Sequence, residues 1–335
     1  MLKILIVADF SLQKTGILST AMGLISPLSR DTYELFSDQD ISINGVRSKA
    51  AELGGIAGED VIIFTHLEYS RLPTLSQALP NAFIHVGDWP GNYWMSLIRS
   101  GRKLKGMLGL IRFRFRLQRF AKQLKLVFVS MEDQRSAICS GFLNARYLPI
   151  GINIPDDGYA AAIGSRVICF SGNFRYEPNR LAAISLLDHF RDNITFKIIL
   201  VGYFANDLRS FADQSVELHE DVPSVVDFLT QRRPIYVSLL TIGAGAKNKI
   251  LEAIISGCPI VCTEPSLDLS IADLPSIIKV ESAEQVIAAC ERIGSNLCEW
   301  NEMTLDVAKS ISEKRSWNSM SRLMREQTSS NDKIG

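Results

Sequence analysis

Several things are scarce in this 335-residue sequence, and each scarcity excludes a class of function. Net charge is absent: 36 Lys and Arg balance 36 Asp and Glu. That removes the basic excess a dedicated nucleic-acid binder uses on phosphates, so no nucleic acid is expected as a partner. No stretch supplies the roughly 18 consecutive apolar residues of a membrane-spanning helix. The opening MLKILIVADF has too short an apolar run for a signal peptide and reads as a first strand. The six cysteines, Cys139, Cys169, Cys258, Cys262, Cys290 and Cys298, form no CxxC pair. Most lie in apolar runs, as reduced core residues of a cytoplasmic protein do. No HxxxH and no clustered His/Asp/Glu set is visible, so no metal and no cofactor are expected. The GxxxxGK[ST] spacing of a phosphate-binding Walker loop is missing as well.

One scarcity is local. From Trp89 to Met131 there is no Asp or Glu, while Arg99 to Lys125 carries Arg99, Arg102, Lys103, Lys105, Arg112, Arg114, Arg116, Arg119, Lys122 and Lys125. Within it, LIRFRFRLQRF (Leu110 to Phe120) interleaves arginines and aromatics, and a helix would gather Phe113, Leu117 and Phe120 on one face. Such a segment suits contact with an anionic membrane or an anionic acceptor. A solvated helix whose apolar stripe faces its own core is the alternative.

What is abundant is apolar sequence in short bursts. Hydrophobic residues make up 47% and charged ones 21%, the balance of a folded globular chain. The length suits two domains of about 150 residues. The bursts are KILIVA (Lys3 to Ala8), VIIF (Val61 to Phe64), AFIHV (Ala82 to Val86), LVFVS (Leu126 to Ser130), VICF (Val167 to Phe170), FKIILVG (Phe196 to Gly202), PIYVSLL (Pro234 to Leu240) and PIVCT (Pro259 to Thr263). Runs apolar on both faces fit buried parallel strands, and the intervals between them fit crossover helices. The fold class is therefore α/β with doubly wound sheets. LPIGINIPDDGYAAAIGSR (Leu148 to Arg166) reads as a linker between two such sheets.

The densest chemistry lies in TIGAGAKNKILEAIISGCPIVCT (Thr241 to Thr263). Gly243 and Gly245 follow a strand, permit close approach of a ligand and precede a helix whose free N–H groups favour an anion. Lys247 and Lys249 place positive charge where the helix dipole alone would favour a carboxylate, which points to an anionic ligand from outside. Ile250, Leu251, Ile254 and Ile255 form the buried stripe, and Lys249, Glu252 and Ser256 share another face. Gly257 fits the C′ position and Pro259 prevents continuation. Glu252, one turn beyond the anion site, is placed to accept hydrogen bonds from sugar hydroxyls. A surface pair of Lys249 and Glu252 with a tight turn before it explains the same residues equally well. The segment is not a dinucleotide fingerprint, because Asn248 stands where the third glycine belongs.

These residues resemble a known family. GAGAKNKILEAIISGCPIVCT is similar to the donor-binding segment of GT-B glycosyltransferases, in particular the retaining family four, which reads roughly G-x-K-x-L-E-A-x-x-x-G-x-P-V-V. FSGNFRYEPNRLAAISLL (Phe170 to Leu187) resembles the opening of that family's C-terminal domain, and HEDVPSVVDFL (His219 to Leu229) its segment around the nucleobase. YLPIGINIP (Tyr147 to Pro155) resembles the interdomain linker and RSWNSM (Arg315 to Met320) the closing helix. DVIIFTH and HVGDWPGNYW support the N-terminal half more weakly.

The resemblance implies two Rossmann-like domains facing a central cleft. Residues 1–150 would bind the acceptor, 151–165 would link, 166–305 would bind a nucleotide sugar, and 306–327 would form a helix crossing back to the first domain. Glu252 would bind the donor ribose. The donor diphosphate would lie against Gly243, Ala244, Gly245, Gly172 and Asn173, with Arg175, Lys247 or Lys249 neutralising it, the lysines being favoured. Gly16 and Trp89 would lie on the acceptor side. Asp88 and, second, His66 are the candidate catalytic bases should the reaction invert. The activity implied is metal-independent, retaining transfer of a sugar to a glycan or lipid-linked acceptor in surface polysaccharide or glycolipid synthesis. The location implied is cytoplasmic, with peripheral contact at the inner face of the plasma membrane through Arg99 to Lys125. Two departures keep alternatives open. Ala244 replaces the first glutamate of the family's E-x7-E pair, and Asn173 and Pro178 replace its Arg and Lys. A scaffold subunit with weakened catalysis fits these losses. A nucleotide-sugar epimerase of the same fold fits less well, because it needs carboxylates beside the sugar.

Overall fold

Each of the eight apolar bursts forms a parallel strand in the structure, a computed structural model. It describes residues 3–8, 33–37, 44, 47–48, 61–65, 72–79, 82–99, 101–155, 158–160, 162–191, 195–241, 247–281 and 283–329. Gly16, His66, Gly243, Ala244 and Gly245 lie outside the described residues. The described residues divide into two compact units. One is drawn from Met1–Gly151 and Arg315–Gly335, the other from Ile152–Gly243 and Lys247–Lys314.

The first unit contains β1 (Lys3–Ala8), β2 (Tyr33–Ser37), β3 (Val61–Thr65), α1 (Leu72–Ala78), β4 (Phe83–Val86), α2 (Pro90–Arg99), α3 (Lys103–Leu117), β5 (Leu126–Phe128), α4 (Met131–Cys139) and β6 (Ala145–Tyr147). Its sheet is parallel, in the order β2-β1-β3-β4-β5-β6. Every residue of β4 and β5 is buried, which is why β5 reads as an unbroken apolar run and β4 as one interrupted only by His85. The buried side of α3 carries Gly106, Gly109, Phe113 and Leu117. A Cβ on Gly106 would lie 2.7 Å from the Trp94 carbonyl oxygen, and one on Gly109 would enter the Trp94 ring, so the two glycines let α2 and α3 approach closely. Phe113 and Leu117 thus face the unit's own core, with Phe120 packed against it.

The second unit contains β7 (Gly164–Ser171), α5 (Glu177–Phe190), β8 (Lys197–Val201), β9 (Val216–His219), α6 (Val225–Arg232), β10 (Pro234–Ser238), α7 (Asn248–Ile255), β11 (Ile260–Cys262), β12 (Ile277–Lys279), α8 (Ala283–Ser295) and α9 (Leu297–Arg315). The strand order is β12-β11-β10-β7-β8-β9, again parallel. The order reverses at β7 and β10, the switch point at which doubly wound sheets bind ligands beyond the carboxyl ends of their strands. Cys169, Cys258, Cys262 and Cys290 are buried thiols, while Cys139 and Cys298 are exposed.

Two boundaries differ from the sequence reading. The stretch read as a linker, 151–165, is tied to the second unit from Ile152 onward. Ala160 donates to the Thr230 carbonyl at 3.1 Å and accepts from the Arg233 guanidinium at 3.0 Å. A single closing helix over 306–327 is replaced by α9 and α10 (Trp317–Ser329). The break falls at Ser316, whose hydroxyl accepts from the Ser319 N–H at 3.2 Å and caps the new helix. α10 is held in the first unit, where Gln327 donates to the Tyr147 carbonyl at 2.7 Å.

Candidate functional site

In the second unit the end of β7 is fastened to the middle of β10. The Ser171 and Tyr236 hydroxyls are 2.8 Å apart, and the Ser171 N–H donates to the same phenol at 3.3 Å. Gly172 follows. Gly202, at the end of β8, has φ +128°, and a Cβ there would collide with the Gly172 carbonyl oxygen. The close approach of the β7 and β8 ends therefore needs glycine at 202.

Asn179, from the first turn of α5, reaches back under this turn and is only 3% exposed. Its amide nitrogen donates to the Asn173 carbonyl at 2.9 Å. That bond fixes the orientation of the amide, and its oxygen accepts from the Lys249 ammonium at 2.9 Å. A Cβ on Gly172 would lie 3.0 Å from both the Asn179 amide nitrogen and Lys249 Cε. Gly172, Asn179 and Lys249 thus form one cluster at the switch point.

Lys249 stands in the first turn of α7. Lys247 precedes that helix and places no side-chain cap on it, and the first turn holds no acidic residue. The N–H groups there retain their affinity for an anion. Ile250, Leu251, Ala253, Ile254 and Ile255 face the core, which leaves Lys249 and Glu252 half-buried on another side. Gly257 then takes φ +69° after the Ser256 C-cap. Burial pulls the Lys249 ammonium down to about 8; the Glu252 charge opposes that and the Lys247 charge adds to it. Burial pushes the Glu252 carboxyl up to about 7 against the pull of Lys249. Asn248 Oδ1 is shielded from solvent and, among the described residues, accepts no hydrogen bond.

The other candidates of this unit are placed differently. Asn173 is exposed; its side chain accepts from the Arg175 N–H at 3.0 Å, and only its carbonyl joins the cluster. Arg175 does not join. Its guanidinium lies 3.7 Å over the Phe204 ring and donates to Asp207 at 3.1 Å in an exposed pair. Lys249, and not this arginine, contacts Asn179 in the cluster. Asn179 and Gly202 were missed by sequence reasoning. Asn179 reads as an ordinary first-turn helix residue after Pro178, and nothing local reports the distant lysine.

In the first unit, Asp88 is exposed, after β4 and Gly87. Trp89, expected on the acceptor side, is instead a core residue with 0% exposure. Its ring meets Phe113, Phe128 and Phe142 edge-on at 5.0, 5.3 and 5.0 Å, and this aromatic packing leaves no face for an acceptor. Its backbone N–H donates to the buried Asp133 carboxylate at 3.2 Å, which also accepts from the Asn92 amide at 2.5 Å. Burial pushes the Asp133 carboxyl up to about 7; those two hydrogen bonds oppose this, and the charges of Asp88 and Glu132 reinforce it. Asp133 escaped sequence reasoning because Ser130-x-x-Asp133 reads as a helix start. The Ser130 hydroxyl does accept from the Asp133 N–H at 3.3 Å. His85, inside β4, is buried, and burial lowers its imidazole to about 4.

No family model matches the sequence, and no curated protein matches it significantly. Solved structures do resemble it. Anabaena HepE in complex with UDP superposes with a TM-score of 0.70 at 13% identity, covering 98% of this chain and 100% of that one. A glycosyltransferase from Rickettsia africae ESF-5 gives 0.68 at 12% identity, covering 99% and 100%. WaaG, a glycosyltransferase involved in lipopolysaccharide biosynthesis, gives 0.65 at 14% identity, covering 97% and 99%. With two parallel six-stranded sheets and a match along nearly the whole of these structures, the chain has the GT-B glycosyltransferase fold.

Proposed function

We propose that this protein is a glycosyltransferase that moves a sugar from a nucleoside-diphosphate donor to a glycan or lipid-linked acceptor in the synthesis of a surface polysaccharide or glycolipid. The observation that carries the reading is the Gly172, Asn179 and Lys249 cluster at the switch point, with Glu252 one turn further along α7. HepE, solved with UDP and with UDP-glucose, supports the donor class. WaaG, involved in lipopolysaccharide biosynthesis, supports the product class.

In this reading Lys249, Lys247 and the first N–H groups of α7 hold the diphosphate, with Gly243 and Gly245 allowing its approach. Their charge is preorganised where the leaving group becomes more negative, which lowers the barrier to breaking the sugar–phosphate bond. Glu252 accepts hydrogen bonds from the ribose hydroxyls. We take the transfer to be retaining and metal-independent. In an inverting reaction Asp88 or His66 would serve as base. The basic segment from Arg99 to Lys125 meets an anionic membrane at the cytoplasmic face, where a lipid-linked acceptor is found. No helix among the described residues is long and apolar enough to cross a membrane.

Purified protein incubated with UDP-, GDP- and dTDP-sugars in the presence of EDTA should hydrolyse one of them slowly and release its nucleoside diphosphate. Ala244, in place of a glutamate, favours a second reading, a donor-binding subunit without catalysis. Tight nucleotide binding with no release would select that reading, and no binding at all would reject both.

A further inference from the structure

α3 is apolar on two opposite sides. Phe113 and Leu117, with Gly106 and Gly109, face the core. On the other side Leu104 is 74% exposed, Phe115 80%, Met107 53%, and Leu108 and Ile111 49% each. Positions 104, 107, 108, 111 and 115 follow the i, i+3, i+4, i+7, i+11 spacing of one helical face, an arc of roughly 100°. At 100° per residue, Lys103 and Arg114 border this arc on one side, and Lys105, Arg112 and Arg116 border it on the other. All five cations are exposed. A single chain thus presents a ridge of large apolar side chains between two rows of long cationic ones. Scattered exposed apolar residues need no explanation, but a contiguous ridge of this kind does.

We propose that this ridge inserts into the interfacial region of an anionic bilayer, with Leu104, Leu108 and Phe115 as its deepest side chains. The inference rests on the membrane contact proposed above and assigns its mode: α3 enters the acyl boundary, and the contact is not charge alone. The cations suit this occupant. Their alkyl stems lie along the apolar ridge while their heads reach lipid phosphates. No acidic residue between Trp89 and Met131 opposes an anionic surface. A second copy of the chain is a poor occupant, since facing ridges would bring like-charged rows together. The same face explains why the arginines and aromatics of LIRFRFRLQRF alternate: Phe113 belongs to the core and Phe115 to the ridge.

The test uses the full chain and vesicles of phosphatidylcholine with or without phosphatidylglycerol. Wild type should co-float with the anionic vesicles only. Leu104→Ser/Leu108→Ser/Phe115→Ser should bind them about tenfold more weakly or worse, with an unchanged melting temperature because all three side chains are exposed. Phe115→Trp, measured against the wild-type tryptophan background, should be quenched by bromines on the acyl chains. If wild type binds anionic vesicles, the triple variant binds equally well and Phe115→Trp is not quenched, the insertion is wrong while the membrane contact stands. Absence of wild-type binding to either vesicle overturns both. A wild-type dimer that the triple variant dissociates would also overturn the proposal, by assigning the ridge to a second copy.

Discussion

The Asn179 amide oxygen takes the Lys249 ammonium at 2.9 Å, and the Asn173 carbonyl holds that amide in place from its other end. A neutral acceptor positions the lysine without cancelling its charge, so the full charge stays available to an anion.

Asn179→Asp is nearly isosteric but supplies a buried carboxylate to the same ammonium. It should weaken UDP binding about tenfold or more, because the diphosphate then meets a neutralised pair, and it should leave uridine binding unchanged. Calorimetric titration of both ligands checks this. Equal losses for UDP and uridine would indicate a general disturbance instead of a charge effect.

Lys249 is held at about 8 by burial. A group lowered in this way carries its proton below that value and loses it as the pH rises through it. Nucleoside diphosphate affinity should therefore be full near pH 7 and fall through about pH 8, the bound anion lifting the midpoint. Lys249→Met should bind more weakly, without that slope. A wild-type affinity constant up to about pH 9 would contradict the role given to this ammonium.

Asp133 carries the opposite sign. Its carboxyl is raised to about 7, so the stability it contributes is complete below its unfolded value and is lost as pH rises through about 7. The amide introduced by Asp133→Asn does not titrate, and it would turn its nitrogen toward either the Trp89 N–H or Asn92, at a cost of about 1 to 3 kcal/mol. Thermal melts of wild type and Asp133→Asn should therefore differ most near pH 4 and converge toward pH 8. A difference independent of pH would show that the carboxyl does not titrate in this range.

Arg233 is fully buried, with φ +40°. Its guanidinium donates to the carbonyls of Gly257 at 3.1 Å and Ala160 at 3.0 Å, to the Thr304 hydroxyl at 3.0 Å and to the Asn301 side chain. One side chain thus joins the 151–165 stretch, the end of α7 and α9. Arg233→Met strands these acceptors and should destabilise the second unit by about 3 to 5 kcal/mol. Denaturant melts followed by tryptophan fluorescence, with Trp89, Trp94 and Trp317 replaced by Phe so that Trp300 alone emits, report it.

Parts of this architecture were legible in the sequence for a physical reason. The eight strands read from apolar runs include every interior strand of both sheets, where both faces are covered. The four that were not read, β2, β6, β9 and β12, are the four sheet edges. β9 and β12 are only partly buried, and VELH and IIK contain the charged residues such a position permits. The α7 helix was legible because its apolar stripe, Lys249, Glu252 and the Gly257 stop are contiguous. Asn179 was not, because its partner is 70 residues away. Trp89 misled because a tryptophan beside an exposed aspartate looks like a binding platform, and only the packing of Phe113, Phe128 and Phe142 reveals a core position.

The most direct test of the account is calorimetric titration of the wild type and Glu252→Gln with UDP, GDP and dTDP. The account predicts that the wild type binds one of the three and that Glu252→Gln, which keeps the shape of α7 but weakens its acceptor for the ribose hydroxyls, binds it about tenfold less tightly or worse. Wild-type-like affinity in Glu252→Gln would remove Glu252 from the site, and a wild type that binds none of the three would contradict the assignment of this cluster to a nucleoside diphosphate.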